Sequence, residues 1–189
     1  MMFIATWAFQ ACNDGNTDTI KSANESNDAK EDAADTSSST AAATTATEAD
    51  SKFSVEAASG GLMEVQLGEL AQQKAQSQRV KDFGSMMVRD HSKANDALKA
   101  LASSKNITLP PAPGEDHQDH IKKLSEKSGK DFDKAYMDMM VSDHKDDIDA
   151  FEKASNNAND ADLKAFATNT LPVLKAHLDS AQAVHKALK

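Results

Sequence analysis

Residues 83–91 read FGSMMVRDH, and residues 136–144 read YMDMMVSDH. Both stretches contain Met-Met-Val-x-Asp-His, and their apolar residues recur three and four positions apart, as on the buried face of a helix. The same spacing continues from Phe53 to Leu188, with few Gly or Pro residues to interrupt it. The pattern predicts an all-α fold in which two similar helices each carry an inward-facing histidine.

Breaks in this pattern divide the domain, residues 52–189, into four long helices and one short helix. Ser, Asn and Asp are good N-terminal caps because their side chains accept hydrogen bonds from free backbone N–H groups. Ser77 is therefore expected to cap the second long helix, and Asn159 or Asp160 the fourth. The predicted helices are 52–75, 79–103, a short one at 115–128, 131–154, and one from that last cap to Leu188.

The first 51 residues have a different composition. Residues 1–12 form a short apolar run that ends in a small residue before Cys12, the only cysteine of the chain. Such a run is typical of a secretory signal peptide, and it resembles the lipobox of bacterial lipoproteins, in which the cysteine is lipidated. Residues 13–51 are polar and of low complexity, so we expect a disordered linker. The alternative is an ordinary signal followed by a tail without lipid.

The net charge of −9 limits the classes of partner. Lysines are interspersed with acidic residues, so no basic stripe is present for nucleic acid. No segment approaches the ~20 apolar residues that a membrane-spanning helix needs. The predicted partner is a membrane, which the protein would contact through its lipid anchor. The predicted location is the bacterial cell envelope, where the protein would be an outer-membrane lipoprotein or a periplasmic protein. It predicts no particular protein partner.

Four polar residues lie on the apolar faces of the four long helices. His91, His144 and His177 each fill a gap in the apolar series of one helix. Glu64 lies on the first long helix, on a line with small residues that leave room around its carboxylate. Polar groups that converge in a dry core must bind each other, water or a metal, because unpaired burial costs several kcal/mol.

Three imidazoles and a carboxylate are suitable ligands for zinc, iron or copper. We therefore expect a transition-metal site formed by these four residues. One alternative is a non-enzymatic structural or interaction module, in which the polar cluster only fixes the helix register. Another is a redox enzyme that acts on oxygen or peroxide at the metal. The other histidines, His117, His120 and His185, are expected at the surface.

Further residues flank the expected ligands. Asp90 and Asp143 each precede a histidine by one position, a rotation of about 100° on a helix. We expect them to hydrogen-bond a histidine of a neighbouring helix, or to form an ion pair, rather than to bind the same metal. Met87 and Met140 precede the histidines by four positions. Their thioethers suit copper, although methionine at this spacing also fills gaps in cores.

Five stretches resemble a widespread bacterial family of unknown function that is grouped with the ferritin-like folds and usually labelled as putative outer-membrane or exported proteins. They are residues 60–65, 87–91, 132–137, 141–144 and 171–177. The resemblance covers about residues 53–188 and implies a ferritin-like four-helix bundle and an envelope location. It implies no activity, since the Glu-x-x-His pairs of ferritin-like di-iron proteins are missing at the expected ligands.

Overall fold

The computed structural model describes residues 18–35 and 46–188, and within these ranges the chain is helical and contains no strand. The all-α prediction is confirmed, and each predicted helix is present with bounds that differ by a few residues. The ferritin-like arrangement of the long helices stays a prediction. The helices are α1 Thr19–Asp35, α2 Glu48–Lys74, α3 Gln78–Ser104, α4 Glu115–Ser125, α5 Gly129–Asn157 and α6 Ala161–Ala187.

The long helices pack as two pairs. Helix α2 packs along α3, α5 packs along α6, and the pairs meet where α2 contacts α5 and α3 contacts α6. Gly84 allows α2 and α3 to approach closely, because a Cβ atom there would lie 2.8 Å from the Gly68 carbonyl oxygen. The interior combines methionine, leucine and aromatic side chains, of which Tyr136 and Phe132 are the largest that are fully buried.

Two buried aspartates hold the two helical pairs together. The Asp133 carboxylate, at the start of α5, accepts hydrogen bonds of 2.9 and 2.8 Å from the backbone N–H groups of Gln76 and Ser77 in the α2–α3 loop. Asp50, at the start of α2, accepts bonds of 3.1 and 3.2 Å from Asn159 and Asp160 in the α5–α6 loop. Each helical pair therefore supplies an aspartate that accepts hydrogen bonds from the loop of the other helical pair.

These contacts reveal an internal symmetry. Asp133 follows Asp50 by the same number of residues as Asp147 follows Glu64. The symmetry therefore pairs α2 with α5, whereas the similarity of residues 83–91 to 136–144 compares α3 with α5. That similarity reflects two helices that each bury a histidine.

Helix α1 lies inside the segment that we predicted to be a disordered linker, and for residues 19–35 and 48–51 that prediction is wrong. Asn27 holds α1 to the α3–α4 loop by donating to the Thr108 carbonyl at 3.0 Å and accepting from the Thr108 N–H at 2.7 Å. Lys30 donates to the Asn106 carbonyl at 2.8 Å. Ala23 is buried in the same contact. Mainly polar contacts therefore order this helix.

The predicted caps have different outcomes. The Asp160 side chain caps α6 by accepting from the N–H groups of Asp162 and Leu163, as predicted. Ser77 occupies the cap position of α3, but its side chain makes no capping hydrogen bond and its backbone N–H donates to Asp133. Cys12 and the predicted signal peptide lie outside the described residues. Within the described ranges, no helix combines the length and apolar character needed to cross a membrane.

Candidate metal centre

The structure brings Glu64, His91, His144 and His177 together in the interior of the domain. They come from α2, α3, α5 and α6, and their exposed fractions are 1%, 5%, 0% and 2%. The centroids of the three imidazole rings lie 5.2 to 5.7 Å apart. Each long helix therefore contributes one polar side chain to a single buried cluster, as the apolar series predicted.

Each histidine uses one ring nitrogen to contact a protein oxygen. The His144 Nδ1 atom lies 2.9 Å from the Met140 carbonyl oxygen. The His177 Nε2 atom lies 3.1 Å from Asp90 Oδ2, and the His91 Nδ1 atom lies 2.6 Å from Glu64 Oε2. A carbonyl oxygen can only accept, so the Nδ1 atom of His144 carries the proton and its Nε2 atom carries a lone pair.

The second ring nitrogen of each histidine is buried without a hydrogen-bond partner. These atoms are His91 Nε2, His144 Nε2 and His177 Nδ1. One ligand atom from each histidine can be chosen so that all three lie within 4.8 Å of one another. Two nitrogens on one zinc ion lie at most about 4 Å apart. The three rings are therefore close enough together that small rotations would bring one nitrogen of each onto the same ion.

Glu64 lies against two of these histidines. Its Oε2 atom contacts His91, and its Oε1 atom lies 3.4 Å from His144 Nε2 but has no hydrogen-bond partner. Burial, and then the charge of Asp143, raises the pKa of Glu64 well above its usual range. Without a cation the glutamate therefore favours its neutral form, and a bound cation would favour the carboxylate.

The protein environment keeps the three imidazoles neutral. Burial lowers the pKa of His144 to about 3, and the neighbouring His91 and His177 contribute to the shift. Burial also lowers the pKa of His91 and of His177. Neutral imidazole is the form that binds a metal ion. The three imidazoles of the cluster are therefore already in the protonation state that a metal ion would require.

Asp90 makes the contact that the sequence predicted, with a histidine of a neighbouring helix. The pKa of Asp90 is lowered to about 2, chiefly by a hydrogen bond from Arg89 and also by the bond to His177, against the effect of burial. The ionised Asp90 accepts the Nε2 proton of His177, which leaves the lone pair on Nδ1. A carboxylate that orients a histidine in this way is common around metal ions in proteins.

Asp143 has a different position from the predicted one. Its carboxyl group lies with Glu64 and Asp147, with one oxygen of each within 4.8 Å of the others, and its Oδ2 atom has no hydrogen-bond partner. Burial raises the pKa of Asp143 to about 6 and raises that of Asp147 well above its usual range. Asp143 and Asp147 thus lie beside Glu64, which itself contacts two of the histidines.

Met87 and Met140 are fully buried in the hydrophobic core. Met140 contributes to the site through its carbonyl oxygen, which fixes the tautomer of His144. Tyr136 lies in the same core with a buried hydroxyl that has no hydrogen-bond partner. Burial, and then the charge of Glu64, raises the pKa of this hydroxyl. The buried positions of the two methionines are those expected of core packing.

A family model described as "Domain of unknown function (DUF4142)" matches residues 35–184. The chain belongs to this family. No curated protein matches the chain, and no solved structure matches it. The matched residues include every member of the histidine and carboxyl clusters of this DUF4142 protein, and the family description assigns no function to them.

Asp147 and Asn95 are the site residues of this DUF4142 protein that sequence reasoning missed. Asp147 follows Asp143 by one helical turn, and the internal symmetry makes it the counterpart of Glu64. Both signals were present in the sequence, but Asp147 stands in an acidic run that is typical of a solvated helix face. Asn95 borders Glu64 and His91 around a small cavity.

The histidines expected at the surface of this DUF4142 protein are each partly buried. His117 lies between α2 and α4, where its Nδ1 atom is 2.6 Å from the Ser59 hydroxyl. His185 contacts Asp138 at 2.6 Å, and His120 has a buried Nδ1 atom without a hydrogen-bond partner. None of the three belongs to the histidine cluster described above.

Proposed function

We propose that this protein is an exported, lipid-anchored envelope protein whose helical domain binds one transition-metal ion. His91, His144 and His177 would bind the ion through the three buried nitrogens that have no other partner, and Glu64 would supply an oxygen. The observation that carries the proposal is this set of three buried nitrogens that have no hydrogen-bond partner among the described residues. Burying such groups without a partner costs about 1 to 3 kcal/mol each, and a cation removes that cost.

The donor set narrows the choice of metal without fixing it. Three imidazole nitrogens and one carboxylate oxygen suit zinc, iron or copper, whereas magnesium and calcium prefer oxygen ligands. Met87 and Met140 lie in the hydrophobic core, a position that core-filling methionines share with sulfur ligands, so they do not decide between copper and the other two metals. Zinc, iron and copper are therefore the metals to test.

The experiment is metal analysis of the full chain, purified without chelator from cells supplied with all three metals. The wild type is expected to retain about one equivalent of one metal, and a His91→Ala/His144→Ala variant is expected to retain almost none. His185→Ala is the matched control, because His185 is half-buried and outside the cluster. Near-zero metal in both the wild type and the double variant would contradict the proposal.

A second candidate function is a structural or interaction module of the cell envelope without a metal. One observation favours it. Burial shifts the pKa values of Glu64 and of the three histidines toward their neutral forms, so the cluster can persist in the core without a charge. This candidate predicts that replacing His144 changes stability while added metal leaves the wild type unaffected.

A further inference from the structure

A small cavity of about 30 Å³ adjoins the histidine cluster on the side of Glu64 and His91. A single water-sized molecule needs about 10 to 15 Å³, so the cavity can accept one small molecule and not a larger substrate. Its polar side chains are Glu64, His91, Asp147, Asn95 and Thr170, and the rest of its lining is apolar. Two of these polar residues, Glu64 and His91, are among those that we assign to the metal.

Small residues keep this cavity open. Ala57 on α2 and Ala94 on α3 line it from two sides. Gly61 lines it as well, and a Cβ atom there would lie 2.1 Å from Asn95 Oδ1. A larger side chain at any of these three positions would enter the space or push Asn95 into it. The volume therefore depends on particular small residues of two helices.

The cavity also lies close to the surface. A groove of about 380 Å³ between α3 and α6 is lined by Asp90, Lys93, Ala97 and Val173. Ala94, Phe166 and Thr170 line both the groove and the cavity. The cavity and the groove therefore lie next to each other and share three lining side chains.

The geometry points to a binding chamber in which one uncharged diatomic molecule reaches the metal ion beside Glu64 and His91. This inference rests on the proposed metal site. Closed metal sites are structural, whereas reactive sites keep one position for an outside ligand. A metal that takes five or six ligands, such as ferrous iron, would keep a position free beyond three histidines and one glutamate oxygen, where the cavity adjoins them. The lining is mainly apolar and includes no lysine or arginine, so an anion would lose its hydration there and meet only the metal, whose charge Glu64 already partly neutralises.

The test uses nitric oxide as the diatomic probe and the full chain loaded anaerobically with ferrous iron. Iron content is measured first, and formation of the iron–nitrosyl is then followed by electron paramagnetic resonance and optical absorption. The wild type is expected to form the adduct, and azide, a linear anion of three atoms, is expected to bind at least about tenfold more weakly, a difference of about 1.4 kcal/mol.

Two variants fill the chamber from different helices, Ala94→Leu from α3 and Ala57→Leu from α2, so that one remains if the other fails to fold. Each is expected to keep its iron and lose nitric oxide affinity by at least about tenfold. Ala97→Leu is the matched control, since Ala97 is exposed and lines only the outer groove. It is expected to behave like the wild type.

The possible failures are distinguishable. Iron bound by the wild type without a nitrosyl would overturn the chamber and leave the metal site intact. Unchanged nitric oxide affinity in both folded chamber variants would also overturn it. Azide that binds as tightly as nitric oxide would overturn the choice of an uncharged ligand. A wild type that binds no iron would overturn the chamber together with an iron site.

Discussion

Glu64 is subject to two opposing influences at the scale of single residues. Burial favours its protonated form, whereas a bound cation would favour the carboxylate. In metal-free protein the folded state therefore retains a proton that the unfolded chain releases above the ordinary pKa of 4.5. Wild-type stability should fall as the pH rises from about 4.5 to the folded pKa, by up to about 1.4 kcal/mol per pH unit.

Glu64→Gln should remove this loss, because glutamine stays neutral. In excess chelator, we expect the variant's free energy of unfolding to gain on that of the wild type between about pH 5 and pH 8. With the metal present the order should reverse, since the variant lacks the carboxylate ligand. Urea unfolding at both pH values measures the difference. A constant difference across this range in chelator would show that Glu64 ionises as easily when folded as when unfolded.

Asp90 tests the orientation of His177. Asp90→Asn keeps the shape of the side chain but can present its amide N–H to His177, which favours the other tautomer. Loss of such a partner typically costs about 10- to 100-fold in metal affinity. Competition with a chromophoric chelator measures the change. Arg89→Gln is the control, because Arg89 is largely exposed and, although it donates to the same Asp90 oxygen that contacts His177, Asp90 stays ionised at neutral pH without it. The affinity should therefore stay nearly unchanged.

At the scale of helices, the sequence predicted some features and not others for physical reasons. His91, His144 and His177 could be predicted because each interrupts the apolar series of its own helix, which shows the direction of a side chain. Periodicity does not show which helices are neighbours. The sequence could therefore predict that Asp90 contacts a histidine of another helix, but not that this histidine is His177. The grouping of Asp143 and Asp147 with Glu64 depends on the packing of α2 against α5, which periodicity does not show.

Helix α1 could not be predicted from apolar periodicity. Its attachment depends on hydrogen bonds from Asn27 and Lys30 to the backbone at Asn106 and Thr108. Such partners lie in a distant loop, and the composition of residues 19–35 is that of a disordered segment. Local composition therefore gave the wrong answer where long-range polar contacts decide the structure.

Asn27→Ala should release α1 from the bundle. The substitution removes both hydrogen bonds to Thr108 and leaves buried backbone groups unpaired, at a cost of about 1 to 3 kcal/mol. Limited proteolysis should then cut within residues 19–35 at least several times faster, while α2 to α6 remain intact. Glu25→Ala is the control, because Glu25 is exposed and makes only a long ion pair with Lys21. Equal cleavage rates in both variants would contradict the proposed attachment.

At the scale of the whole molecule, the proposed lipidation of Cys12 would anchor the domain to a membrane. It is the only cysteine and lies between the predicted signal peptide and the rest of the chain. If it is lipidated, the wild type should fractionate with membranes and Cys12→Ser should be released, since each buried CH₂ group contributes about 0.8 kcal/mol. Mass spectrometry of the mature N-terminus provides the second readout. A soluble wild type with an unmodified thiol would exclude the lipid anchor.

The central claim is that the buried histidine cluster binds a metal ion, and metal-dependent unfolding tests it most directly. At a hundredfold excess over Kd, the ion should stabilise the wild type by about 2.7 kcal/mol, because it binds the folded state preferentially. We predict this increase for at least one of zinc, iron and copper, with the same increase in His185→Ala and none in His91→Ala/His144→Ala. A wild type whose unfolding is unaffected by all three metals would contradict the claim.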